Sequence, residues 1–360
     1  MIPAGSALSS IAHIVGAAAS GLWGELSRVL LAPGSTFSLL SLAAAFCITV
    51  AVVLRQRRAR GRGLSLKLLV RAVFPRRILR SASSRADLGF MLLNVFATGL
   101  LIGWALVSIA AVGHWVHDGL TTALGARTPL RSNPLLMATG VTVVGFLVYE
   151  FAYWLDHYLS HSIPFLWEFH RVHHTAETLS PLTVFRVHPV ESIKFYNISA
   201  LLLGATQGVA TWVVGGPVHE LAISGSNIIL LTFIFLTIHL QHSHVWIAFT
   251  GVWGRVFASP AHHQIHHSAD PAHFGKNLGS CLVVFDWMFG TLRIPTRVRE
   301  PLVFGVEPGQ ESPHTVVGGL VTPFVRAAAI LHQIIIVIAG LVPATRDHGQ
   351  PRRVPAASAE

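Results

Sequence analysis

The stretch PLLMATGVTVVGFLVYEFAYWLDHYLSH, residues 134–161, sets the fold of this chain. Residues 134–155 are apolar and match the roughly twenty residues that a helix needs to cross a bilayer. The run then ends in His157 and His161, spaced i, i+4, on one face of a helix continuing out of the apolar segment. A membrane helix that emerges carrying paired imidazoles is the first expectation.

Composition supports the membrane. Of 360 residues 52% are hydrophobic and 12% charged, with a mean hydropathy of +0.58. A soluble domain carries roughly twice that charged fraction. The net charge of +10 is concentrated: residues 55–85 hold ten arginines and one lysine with no acid. Such a run can bind nucleic acid. Its place between two apolar segments favours a cytoplasmic loop under the positive-inside rule, and no nucleic-acid partner is expected. Cys47 and Cys281 suggest neither a disulfide framework nor a cysteine metal site. The N-terminus lacks a basic region, so the first apolar segment is expected to be retained.

Working outward from 134–155, four more runs have span length: 36–54, halted by RQRRARGRG, then about 88–112, 196–214 and 221–240. Residues 2–30 are weakly amphipathic, as suits an interfacial helix. Segment 316–342 is interrupted by Pro323, Arg326, His332 and Gln333. It reads as a sixth span or as a helix lying on the membrane or packed on the bundle. The tail RDHGQPRRVPAASAE reads as disordered. With 55–85 in the cytoplasm, alternation of spans puts 156–195 and 241–314 in the cytoplasm too. The outer loops, 113–133 and 215–220, then hold only Arg127 and Arg131 as basic residues. The arginines alone thus bring both histidine-rich segments to one side. The expected fold is an all-α polytopic membrane helix bundle of four to six spans with a cytoplasmic, histidine-rich di-metal cap.

Fifteen of the 21 histidines lie between His157 and His273. HRVHH supplies His170, His173 and His174; HQIHH repeats the pattern as His263, His266 and His267. HLQHSH, at the end of the last span, supplies His239, His242 and His244. Neutral imidazole suits iron, copper, nickel and zinc, and two imidazoles one turn apart can grip one ion. Eight or more exceed the four ligands of a zinc site and fit two metals. Scattered histidines such as His13, His114, His117, His219, His314, His332 and His348 read as interface or hydrogen-bonding residues.

Competing chemistries lack their residues. The His-Glu pair of HELAI (219–223) has no second histidine to complete a zinc-protease motif. There is no nucleophile elbow, phosphate-binding loop or haem-attachment motif. Carboxylates near the histidines are few: Asp156, Glu168, Glu177, Glu191, Asp270 and Asp286. They read as partners that orient imidazoles, or as helix caps. A metal transporter would place its ligands at mid-membrane depth, whereas these follow span ends. A zinc-dependent membrane hydrolase would need one mononuclear site.

In order along the chain come YWLDHYLSH, LWEFHRVHH, FRVHP, QHSH, SPAHHQIHHS, KNLG and FDWMFGT. This series resembles the fatty acid hydroxylase superfamily, which includes sterol desaturases, over about residues 88–295. FDWMFGT carries Phe285 where tryptophan is usual, and HLQHSH departs from the family's HxxxH. The resemblance implies a membrane-bound non-haem di-iron enzyme that uses O2 to hydroxylate or desaturate a C–H bond of a lipid, sterol-like or fatty-acyl. It implies two iron ions held by His157, His161, His170, His173, His174, His242, His263, His266 and His267, with His239 next. His188, His244, His262 and His273 are further candidates. No flavin, dinucleotide or ferredoxin pattern is present, so an external electron donor is expected, of ferredoxin, rubredoxin or cytochrome b5 type. The basic loop can dock such an acidic carrier or attract anionic lipid. The expected organisation is an N-terminal interfacial segment, first span and basic loop over 1–85, a catalytic domain over 86–300, and an apolar segment and tail over 301–360. The expected location is a bacterial inner membrane, with the site facing the cytoplasm.

Overall fold

Residues 4–61, 63, 65–306 and 314–339 are described by the computed structural model. Among them the chain is all-α apart from one two-residue hairpin, and helices satisfy backbone polar groups where lipid cannot. The C-terminal tail and Arg62 lie outside the described residues. Helix α1 (Ala4–Leu31) precedes α2 (Leu39–Ala59), which Ser38 starts by accepting the Ser41 amide. The apolar run of α2 passes into Arg55, Arg57 and Arg58 before it stops. The basic segment folds into α3 (Leu66–Val73) and one turn at Arg76–Leu79.

The expected second span, 88–112, is not one helix. α4 (Ala82–Phe96) ends there, short turns follow, and α5 (Ile109–Leu124) starts afresh. Polar side chains inside the run cause the break. Asn94 donates to the Phe185 and Val187 carbonyls at 2.8 and 3.1 Å, Thr98 bonds Asn94, and Ser108 caps α5 by accepting the Ala111 amide.

Asn133 accepts the Leu135 and Leu136 amides to start α6 (Pro134–Ser162), and the chain bends at Ile163 before Pro164 opens α7 (Pro164–His174). His188 caps α8 (Pro189–Val214), which Gly215 ends in the left-handed conformation. The expected fifth span, 221–240, is also revised. Its start is the hairpin of β1 (Ala222–Ile223) and β2 (Ser226–Asn227), turned by Ser224 and Gly225 at positive φ. Only α9 (Ile228–Gln241) is helical, with a π-helical turn at Ile234–Ile238. At 1.5 Å per residue it is about 21 Å long, short of the roughly 30 Å hydrocarbon core. α10 (Pro260–His266), α11 (Val284–Phe289) and α12 (Val316–Ile338) follow.

Among the described residues four helices are long and apolar enough to cross a membrane: α2, α6, α8 and α12. The open question over 316–342 thus resolves as a helix of span length that also packs on α7, with Phe324 against Phe169 and the Leu320 carbonyl on His188.

Contacts fix the helix directions. Asn197 of α8 bonds Ala105 and Val107, while Trp212 reaches the Gly125 carbonyl, so α5 and α8 run parallel. They touch through glycines: a Cβ on Gly204 would lie 2.7 Å from the Ile109 carbonyl, and one on Gly208 2.5 Å from the Gly113 carbonyl. α6 runs against α8, with Asp156 at Lys194 (3.0 Å). The far end of α6 meets the hairpin through Thr142 and Leu221 (2.7 Å). The C-terminal ends of α6 and α9 and the start of α8 therefore share one end of the bundle. The bulkiest fully buried side chains include Arg186, His188, His262, His267, Gln264, Glu150 and Asn277. The tightest part of the fold is polar, which calls for a reason other than hydrophobic packing.

Candidate metal centre

Three stretches of chain deliver nine histidines to that end. α6 carries His157 and His161 one turn apart. The bend at Pro164 folds α7 back so that His170, His173 and His174 face them. His242 lies just past α9, and α10 with its cap brings His263, His266 and His267. Ser259, followed by Pro260, starts α10 and aims it.

The nine sort into two groups. His157, His161, His170, His174 and His266 form one; His173, His242, His263 and His267 form the other. Within each group, ligand nitrogens lie within 4.8 Å of one another. The groups adjoin: the His174 and His267 rings stack at 4.7 Å.

Proton positions test whether a cation fits. His157 Nδ1 donates to the Leu278 carbonyl (2.7 Å), His266 Nδ1 to the Lys276 carbonyl (2.9 Å), and His170 Nδ1 to Glu191 Oε1 (2.6 Å). Those acceptors draw a proton to Nδ1 of each ring and turn Nε2 toward the other histidines. His157 and His170 face each other Nε2 to Nε2 at 3.0 Å, and His266 Nε2 is buried with no protein partner. His161 Nε2 is buried and unpartnered as well. In the second group His242 Nε2 lies 3.1, 3.1 and 2.9 Å from Nε2 of His173, His267 and His263. Ring nitrogens gathered this closely around one space are arranged as a cation's ligands would be. Burial holds His173, His174, His263 and His267 well below the usual histidine range, and His242 and His266 near 3, so the rings are neutral donors at physiological pH. The residues fit two imidazole-bound metal ions.

The remaining candidates are placed elsewhere. His239 bonds Ser41 Oγ at 3.0 Å and packs on Phe37. His244 donates to the Ala72 carbonyl (2.7 Å). His262 accepts from Ser259 and reaches the Gly254 carbonyl (3.0 Å), and His188 is the α8 cap. His273 is buried and joins neither group. Each of the first four has a ring nitrogen engaged by protein and stands outside both groups. The carboxylates divide more widely than the expected orienting and capping. Glu191 orients His170, Asp270 caps a turn, and Asp286 accepts the Leu278 and Gly279 amides at 2.8 Å. Asp156 pairs with Lys194, whose ammonium also bonds Ser160; Glu168 pairs with Arg171 and Glu177 with His314.

Sequence reading missed three supports. Glu150, in the apolar run of α6, accepts the Cys281 and Leu282 amides at 2.8 and 2.7 Å. It was findable as an acid within a membrane segment. Asn277 takes a positive φ of 57° and ties the Arg293 amide to the His262 carbonyl. Asp87 and Arg186, both fully buried, pair at 3.1 Å. Burial pushes Asp87 up and Arg186 down, each offset by the other's charge.

With this geometry in place, the comparisons become specific. Residues 142–291 match the family model described as fatty acid hydroxylase. That stretch contains all nine clustered histidines, and the resemblance seen in the sequence is borne out there. An ornithine lipid hydroxylase of Rhizobium tropici is 32% identical over 158 residues, covering 43% of this chain and 42% of its own. An alkylglycerol monooxygenase of Danio rerio is 27% identical over 149 residues, 41% of this chain and 29% of its own. A putative Delta(7)-sterol-C5(6)-desaturase of Arabidopsis thaliana is 26% identical over 211 residues, covering 57% and 66%. The chain thus spans less than half the length of the first two relatives. No solved structure matches it.

Proposed function

We propose that this fatty acid hydroxylase-like chain is an O2-dependent di-iron oxidoreductase that hydroxylates or desaturates a C–H bond of a membrane lipid. The observation that carries the reading is the convergence of nine histidines, their Nε2 atoms facing one another in two adjoining groups, on the stretch that matches the family. His157, His161, His170, His174 and His266 would hold one iron; His173, His242, His263 and His267 the other. Bound there, the irons supply activation of O2 and removal of hydrogen from an unactivated carbon.

The chain's own residues have definite tasks in this reading. Glu191 fixes the His170 tautomer. The backbone of 276–278 fixes His266 and His157 through its carbonyls, and Asp286 holds that backbone. Burial of the rings keeps water away from them. The helix ends that carry them let a lipid enter from the bilayer. Residues 86–300 act as the catalytic domain, in a bacterial inner membrane with the site facing the cytoplasm, and electrons come from a separate ferredoxin, rubredoxin or cytochrome b5-type carrier. A single-zinc hydrolase is disfavoured by nine converging imidazoles, more than twice the ligands of one zinc site.

The test compares lipid extracts of cells with and without the chain by mass spectrometry. A lipid that gains one oxygen atom marks hydroxylation, and one that loses two hydrogens marks desaturation. Unchanged lipids, together with no O2- and reductant-dependent turnover by the purified protein, would overturn the reading.

A further inference from the structure

A second site lies outside the histidine cluster, where α2 leaves its apolar run. Segments far apart in sequence meet there around a cavity of about 660 Å³, and two of them bring arginines. Arg57 and Arg60 come from the end of α2 and its cap; Arg297 and Arg299 come from the segment after α11. No aspartate or glutamate is among the lining residues. Arg57 is held in place by the Gly63 carbonyl, which it meets through Nη2 at 2.8 Å, and Arg297 leans on Thr250. Four arginines lining one space, with no acid among the lining residues, suit a multiply oxygenated anion.

The walls narrow the choice of anion. Val53 and Trp246 line the same cavity, so one side is apolar and the other cationic. Val53 is near the end of an uninterrupted apolar stretch that Arg55 closes, and the first arginines after an apolar helix mark the edge of the hydrocarbon. A volume of this order takes a small molecule or headgroup rather than a protein surface. We infer that this cavity binds the phosphate group of an anionic phospholipid, with the glycerol and upper acyl chain against Val53 and Trp246. The site is independent of the catalytic reading. It has a structural route to the metal centre, because Val245 and Trp246 follow His242 on the same loop.

The experiment uses the full chain in a neutral detergent, where no charged surface attracts lipid, and titrates short-chain phosphatidylglycerol with native mass spectrometry as readout. Phosphatidylcholine and inorganic phosphate are titrated in parallel. The variant R60Q/R299Q removes one arginine from each segment. R76Q/R77Q removes the same charge from exposed positions of the basic loop outside the cavity. Melting temperatures check that both variants fold. The expected result is one saturable phosphatidylglycerol site, weakened about tenfold or more in R60Q/R299Q and unchanged in R76Q/R77Q, with neither phosphatidylcholine nor inorganic phosphate competing. Equal weakening in both variants would overturn the site as diffuse charge attraction. Full competition by inorganic phosphate would reassign it to a soluble anion. Absence of lipid binding, with an acidic carrier protein bound in an R60Q/R299Q-sensitive way, would reassign it to protein docking.

Discussion

His170 and Glu191 are joined Nδ1 to Oε1 at 2.6 Å, and both are buried. His170 sits in the middle of the five-histidine group, 3.0 and 3.1 Å from the Nε2 atoms of His157 and His174. The carboxylate decides which nitrogen of the ring is free. Glu191→Ala should lower metal affinity roughly 10–100-fold, and Glu191→Gln, which keeps an acceptor oxygen, should recover part of it. Competition against a chelating dye measures both. Equal affinity in the wild type and both variants would remove Glu191 from this role.

The two groups are supported unequally. In the five-histidine group three rings donate outward to a carbonyl or carboxylate, whereas His263 Nδ1 and His267 Nδ1 in the other have no protein partner. Chelator should therefore strip metal in two phases, about one ion before the other. His263→Ala should abolish the fast phase and leave the slow one. A single phase in the wild type would contradict this.

Glu150 closes the loop that follows the last histidine pair. Glu150→Ala leaves the Cys281 and Leu282 amides buried and unpaired, a loss of about 2–5 kcal/mol. Glu150→Gln should lose less, because its oxygen still accepts. Thermal melting of the purified variants separates the two; identical melting of Glu150→Ala and wild type would be the contrary result.

Gly279 lies where the Asp286 carboxylate and the Leu282 carbonyl close on the backbone, and a Cβ there would collide with that carbonyl. Gly279→Ala should displace the Leu278 carbonyl from His157 and lower metal content. If metal content stays at the wild-type value, the backbone clamp on His157 is unnecessary.

Asp87→Ala strands the buried Arg186 and should cost about 3–5 kcal/mol. Replacing both, as Asp87→Leu with Arg186→Met, should restore most of the loss because no buried charge remains. A double variant no more stable than Asp87→Ala would show that the pair is not what matters.

Much of this was legible because histidine spacing is local. HxxxH sets two ligands one turn apart, and each HxxHH divides its three between the two groups, so that all nine favoured histidines converge. Four of the apolar runs are helices of span length for the same reason. Runs 88–112 and 221–240 deceived because hydropathy averages over Asn94, Ser108, Ser224 and Gly225, whose hydrogen bonds and positive φ values break helices at single residues. His239 illustrates the limit of spacing. It stands one turn before His242 on α9, yet the π-helical turn and Ser41 of a helix almost two hundred residues away claim its ring. Long-range partners such as Asp87 with Arg186 leave no local trace.

The central claim is that nine imidazoles hold two metal ions. Metal-free full-length protein loaded with ferrous iron without oxygen, then desalted and analysed for iron and protein, tests it directly. The account predicts about two irons per chain, falling to about one in His263→Ala. One iron or none in the wild-type chain would contradict it.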